Sequence, residues 1–184
     1  MNPAAYCLFE TNIGCCAVLW RVNEDASSPP AIVAFQLPEA TPEMTEYRVT
    51  RWPGATRSPN PPAAITTLIE RVRRHLTGDL QDFRDVVLDL DSSGPFAQKV
   101  YEAARAIEAG ETRSYGALAT SINHPGAARA VGQALGRNPI GLIIPCHRVL
   151  AAGRKIGGFS AHGGQATKMR MLAIEGAGFQ GTVD

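Results

Sequence analysis

The 184-residue chain has only four cysteines, Cys7, Cys15, Cys16 and Cys146, and no two stand at CxxC spacing. A disulfide framework is therefore not expected, and the reading is four free thiols in a reducing compartment. No ligand spacing joins Cys7, Cys15 and Cys16 to His75 as a zinc site, so the default role of these thiols is to fill core. Long apolar runs are absent too, which excludes a membrane span, and the opening MNPAAYCLFETNIG lacks the basic and apolar regions of a signal peptide. The expectation is an intracellular protein, of the cytoplasm or nucleoid if bacterial, with no membrane partner. The Gly-rich stretch 153–164 matches neither the dinucleotide nor the P-loop pattern, so no nucleotide cofactor is indicated.

Net charge is also small, at +1, but it is unevenly spread. Residues 1–92 hold eight Lys/Arg against twelve Asp/Glu, or −4, whereas residues 93–184 hold ten against five, or +5. A polyanion facing the C-terminal half would account for this, as would solvated faces.

What is present divides at the same place. YCLFETNIGCCAVLWRV and AIVAFQL carry β-branched and aromatic residues at strand length, with NEDASSPP as a turn between them, and they read as antiparallel strands. After the Pro-rich loop RWPGATRSPNPP, Ile65, Leu68, Ile69, Val72 and Leu76 recur at helical spacing up to Gly78. DVVLDLD reads as a short closing strand. The expectation for 1–92 is an α/β domain with a small antiparallel sheet and a helix.

From residue 93 onward the pattern is helical. Pro95 opens a helix with Phe96, Val100, Ala104 and Ile107 on one face, and Gly110 ends it. SYGALATSINHPGAARAVGQALG reads as a helix capped at Ser114, a turn through Asn123, His124, Pro125 and Gly126, and a second helix from about Ala127 to Leu135. That is the outline of a helix-turn-helix inside a mostly α, winged-helix-like domain spanning 93–184. In the second helix Ala127, Ala128, Ala130, Gly132 and Ala134 surround one long side chain, Arg129. Such a helix either packs tightly against a neighbour or lies flush against a nucleic-acid groove.

The densest chemistry is PIGLIIPCHRVLAAG. Ile144 precedes a proline and is pushed toward extended backbone, so IGLII reads as strand-like and ends at Pro145. If PCHRV begins a helical turn, Cys146 sits at its positive end with His147 and Arg148 nearby, an arrangement that lowers a thiol pKa. From these residues alone Cys146 is either such a nucleophile or a small core residue.

SYGALA, HPGAARAVGQALGRNP, IIPCHRV and GGFSAHGGQATKMRMLAIEGA, in this order and at these distances, resemble the O6-alkylguanine-DNA alkyltransferases, also called methylated-DNA–protein-cysteine methyltransferases. The resemblance is close through 93–177; over 1–92 only strands followed by a helix are shared. It implies a DNA repair protein and a suicide alkyltransferase without a cofactor. Cys146 accepts the alkyl group from O6 of a damaged guanine, once per molecule. It further implies that Glu175 orients His147, that His147 takes the thiol proton through a water, and that Asn138 organises the backbone around the Cys146 turn, with Arg148 beside it in a structural role. Its partner is double-stranded DNA containing O6-alkylguanine, bound from the minor groove by the helix bearing Ala128 and Gly132 with little sequence specificity. Arg129 fills the space of a flipped nucleotide, Tyr115 crowds the adjacent phosphate and donates toward the base, and Ser160 hydrogen-bonds O6. The chain is taken as a monomer by default.

The chain departs from the family pattern at two points. Phe159 stands where tyrosine is frequent and leaves an apolar pocket wall, and SAHGG is two residues longer than the SGG of some relatives, placing His162 in a loop read as exposed. Lys168 and Arg170 are read as a solvated or phosphate-facing edge. Two rivals from other classes are a non-catalytic damage sensor, against which Cys146 argues, and a cysteine hydrolase using Cys146, His147 and Asn138, against which the adjacency of Cys and His argues.

Overall fold

A computed structural model describes residues 4–22 and 28–179. Two compact units emerge: one comprises the chain up to Leu90 together with Pro139–Gly141, the other Asp91–Asn138 with the chain from Leu142 onward.

In the first unit the 17-residue apolar segment divides at Asn12–Ile13 into an antiparallel hairpin, β1 (Ala4–Thr11) and β2 (Gly14–Arg21). β3 (Ala31–Gln36) pairs antiparallel with β2. The turn read from NEDASSPP falls on residues 23–30, of which 23–27 lie outside the described residues. The sheet is not purely antiparallel, because β4 (Thr56–Arg57), two residues inside the stretch read as a loop, adds parallel to β1 and gives the order β3-β2-β1-β4. Two residues carry too little periodicity to announce a strand.

A helix that hydrophobic periodicity does not show, α1 (Pro42–Thr50), starts where Thr41 accepts a hydrogen bond from Met44 N and Pro42 occupies the first helical turn. Its Val49 joins Tyr6, Ala17, Leu19 and Val33 in one core layer. α2 (Ala63–Leu76) buries Ile65, Leu68, Ile69, Val72 and Leu76, as their spacing predicts, each contributing roughly 1.5–3 kcal/mol of burial. Arg73 on α2 lies over the Phe9 ring of β1, which meets Phe35 of β3 edge-on at 6.0 Å.

DVVLDLD forms one bridge rather than a strand: Ile32 N donates to Val87 O and Asp89 N to Ile32 O, both at 2.8 Å. The other edge contact of β3 comes from far along the chain. Phe35 N donates to Pro139 O (3.0 Å) and Gly141 N to Phe35 O (3.2 Å), which seats residues 139–141 beside the strand.

The second unit is mostly helical. α3 (Pro95–Arg105) buries Val100, Tyr101 and Ala104. α4 (Tyr115–Ser121) is capped by Ser114, whose hydroxyl accepts from Ala117 N at 3.0 Å. α5 (Ala128–Gly136) follows a turn in which Asn123 (φ 62°) and Gly126 (φ 85°) take left-handed backbone, as asparagine and glycine do most readily. The Tyr101 hydroxyl donates to Ala134 O and ties α3 to α5. Two-residue strands β5 (Arg113–Ser114) and β6 (Val149–Leu150) pair in parallel, and α6 (Gly164–Ile174) closes the unit. IGLII does not continue as a strand: after the short run beside β3 the chain turns at Leu142–Ile143. The fold is thus an α/β unit and a mostly α unit holding a helix-turn-helix.

Candidate active site

Cys146 begins a single 3-10 turn, Cys146–Arg148, placed by the chain reversal that precedes it. Cys146 N donates back to Ile144 O, Arg148 N donates to Pro145 O, and Asn138 Nδ2, from just beyond α5, donates to the same Ile144 carbonyl at 2.8 Å. Cys146 is buried, 9% exposed as a residue, and lines a cavity of about 550 Å³. Tyr115 at the start of α4, Ala128, Arg129 and Gly132 on α5, and Phe159 and Ser160 in the loop before α6 line the same cavity. Chain segments dozens of residues apart therefore line one cavity with Cys146. On the α5 side Gly132 faces the Tyr115 ring, where an added Cβ would make ordinary contact at 3.8 Å.

Behind the cysteine lies a buried ionic cluster. Glu175 Oε1 is 2.9 Å from His147 Nε2, and the Arg148 guanidinium donates to both carboxylate oxygens, at 2.8 and 3.0 Å. Its remaining nitrogen donates to Ile107 O, just past α3. His147 and Glu175 side chains are 0% and 1% exposed, so the carboxylate must be held by donors, and three N–H groups supply them. Removing one partner from such a cluster costs about 3–5 kcal/mol because the other charge is left buried.

The electrostatics differ from the expectation of a lowered thiol pKa. Burial is the largest influence on Cys146 and raises it. Opposing it are the Asn138 amide, the Lys168 ammonium and the backbone N–H groups of Cys146 and His147. Arg148 is not among the opposing groups; its guanidinium is engaged by Glu175. A three-residue turn has too little dipole to outweigh desolvation.

Lys168 is likewise not the solvated edge read from the sequence. It is 0% exposed, with Nζ donating to Val149 O at 2.6 Å and Gly158 O at 3.2 Å and standing 5.7 Å from the Tyr115 ring centre. Burial lowers its amine to about 8, and the neighbouring cysteine acts in the other direction. The missed signal was positional: Lys168, Met171, Leu172 and Glu175 fall at i, i+3, i+4 and i+7, one face of α6, and all four are buried. Arg170 and His162 are exposed, as read; the His162 carbonyl accepts from Thr167 Oγ1.

The other cysteines lie elsewhere. Cys7, Cys15 and Cys16 are buried free thiols in β1 and β2, and His75 accepts a hydrogen bond from Gln81 N through Nδ1. Among the described residues no three His, Cys, Asp or Glu side chains are grouped to hold a metal ion, and no helix is long and apolar enough to cross a membrane.

Residues 95–177 match the family described as 6-O-methylguanine DNA methyltransferase, DNA binding domain. The methylated-DNA–protein-cysteine methyltransferase of Mycolicibacterium paratuberculosis is 42% identical over 137 residues, covering 73% of this chain and 81% of the relative. That of Mycobacterium tuberculosis is 43% identical over 123 residues, covering 67% and 72%. The crystal structure of Mycobacterium tuberculosis OGT in complex with DNA superimposes with a TM-score of 0.71 at 34% identity, covering 93% of this chain and 92% of that one. With an α/β unit, a helix-turn-helix unit and a cysteine at the cavity between α5 and the loop before α6, the chain belongs to the methylated-DNA–protein-cysteine methyltransferase family.

Proposed function

We propose that this protein repairs DNA by flipping O6-alkylguanine out of the duplex and transferring the alkyl group irreversibly to Cys146. The observation that carries the reading is the convergence of Cys146, Tyr115, Arg129 and Ser160 on one cavity. An O6 substituent inside a stacked duplex offers no collinear approach to a thiolate, so the base must leave the stack. Arg129, exposed at the cavity on the small-residue helix, fills the vacated space. The neighbouring small residues Ala128 and Gly132 let α5 approach the minor groove, where base edges carry little sequence information; affinity then rests on phosphate contacts and falls with salt.

In the chemical step the Cys146 sulfur forms a bond to the alkyl carbon as the carbon–O6 bond breaks. The electron pair of that bond remains on guanine, whose O6 is stabilised by the Ser160 hydroxyl or backbone N–H as charge develops, with Tyr115 donating to the base. His147 removes the thiol proton through a water, its ring fixed by Glu175, and the proton is finally accounted for on the released guanine. Burial favours the neutral thiol in the free protein, so thiolate forms as the substrate engages and Lys168 and Asn138 stabilise it. Asn138 also holds the turn that presents the sulfur. No cofactor takes part. A thioether has no good leaving group, so the protein acts once, as a monomer, in a compartment that keeps its thiols reduced.

The test is stoichiometry. Duplex DNA carrying O6-methylguanine is titrated with protein, and repaired guanine is counted. A plateau at one repair per protein is expected; turnover beyond it would assign the cavity to a hydrolase, and binding without repair would make the protein a damage sensor.

A further inference from the structure

Three non-glycine residues among those described have left-handed backbone: Asn123, Leu142 and Arg154. Asparagine takes this conformation readily, and Arg154 is exposed beside Gly153. Leu142 differs, with φ 68° and only 1% exposure, four residues before Cys146. A leucine held there is strained, and strain of this kind persists only where the surroundings over-determine it.

The surroundings do so from both sides. Upstream, Pro139 O and Gly141 N are hydrogen-bonded to Phe35, which holds the chain up to Gly141. Downstream, the Ile144 carbonyl accepts from both Asn138 Nδ2 and Cys146 N, each at 2.8 Å. The chain turns at Leu142–Ile143, and burial of the leucine side chain holds the backbone in place. A glycine would enter the same conformation without strain but would not be held in it.

We infer that Leu142 is a positioning residue for alkyl transfer: its imposed left-handed backbone sets the path of Ile143, Ile144 and Pro145 and thereby where the Cys146 sulfur stands in the cavity. The inference rests on the alkyl-transfer reading above. A displacement of about 1 Å at a reacting centre can cost on the order of a hundredfold in rate.

Two pairs of variants test it. Leu142→Met and Leu142→Ile both conserve side-chain volume, but β-branching at Ile opposes a positive φ. The Met variant is expected to transfer methyl within about twofold of the parent, and the Ile variant at least about tenfold more slowly at unchanged duplex affinity. Alkylation of Cys146 by iodoacetamide in the Ile variant should shift to higher pH as the sulfur leaves its N–H donors. Equal rates for folded Met and Ile variants would overturn the inference. Should the Ile variant not fold, Leu142→Gly and Leu142→Ala both lose the side chain beyond Cβ while differing in tolerance of positive φ; faster transfer by Gly supports the role, and equal or slower transfer refutes it. If the parent itself repairs nothing, the alkyl-transfer reading fails, while the iodoacetamide profiles still decide whether Leu142 places the sulfur.

Discussion

The hairpin of the first unit and the turn after Pro145 both bury cysteine, yet they treat it differently. In β1 and β2, burial pushes Cys7 and Cys15 to about 11 and Cys16 to about 12. Cys16 has a threonine hydroxyl 3.9 Å away, and Glu10 makes ionisation of Cys15 still harder. Burial also dominates at Cys146, but there an amide, an ammonium and two backbone N–H groups oppose it, and the sulfur borders a cavity. Burial alone therefore does not separate an inert thiol from a nucleophile. Opposing groups act on the sheet thiols as well, Arg57 and Arg73 on Cys7 among them, so what sets Cys146 apart is an amide, an ammonium and backbone N–H groups together with a place on the cavity wall.

The strongest way to break this contrast is to exchange the thiols. Cys146→Ala should abolish transfer and leave lesion binding in a gel-shift assay, whereas alanine at Cys7, Cys15 and Cys16 together should leave the transfer rate of the folded protein unchanged. Next comes the cluster behind Cys146. Glu175→Gln leaves Arg148 without its counter-charge and should lower unfolding free energy by about 3–5 kcal/mol in denaturant titration, with a fall in transfer rate.

Arg129→Ala leaves the thiol alone and removes only the side chain proposed to extrude the base. Repair in duplex DNA should fall on the order of tenfold or more, since unstacking costs a few kcal/mol, while reaction with a free O6-alkylated base changes little. Equal losses on both substrates would take the stack-filling role from Arg129.

Lys168→Met sharpens the electrostatic half of the comparison. Without the ammonium, the pH profile of Cys146 alkylation by iodoacetamide should move to higher pH, while Cys16 remains unreactive. Stability against pH gives the smallest effect, and its sign differs between the regions. The sheet thiols have raised pKa values, so their contribution is complete below about 9 and is lost as pH rises toward 11–12. Lys168 is lowered to about 8, so between there and its ordinary 10.5 the unfolded chain holds more protons and stability rises with pH. Chemical denaturation across pH 8–11 should therefore show a steeper alkaline loss in Lys168→Met than in the parent.

The sequence disclosed these features unequally. α2, α3 and the helix-turn-helix follow from apolar spacing and from Ser114, Pro95 and the Asn123–Gly126 turn, all of them local signals. α1 was missed because only its cap, Thr41–Pro42, announces it. β4 and the seating of residues 139–141 beside β3 depend on backbone partners far away in the chain, and no local pattern encodes them. At the site, residue types pointed to Cys146 and His147 and the family resemblance to Glu175, whose carboxylate the structure brings to 2.9 Å from the His147 ring. The same reading erred on Lys168, because a lysine is presumed solvated unless its helical face is examined, and on the thiol's pKa, because sequence shows neighbouring charges but not desolvation.

The most direct measurement is peptide mapping by mass spectrometry after reaction with duplex DNA whose O6-methylguanine carries an isotopically labelled methyl group. The account predicts one labelled methyl per protein, all of it on the peptide containing Cys146. Label on Cys7, Cys15 or Cys16, or repaired DNA with unmodified protein, would contradict it.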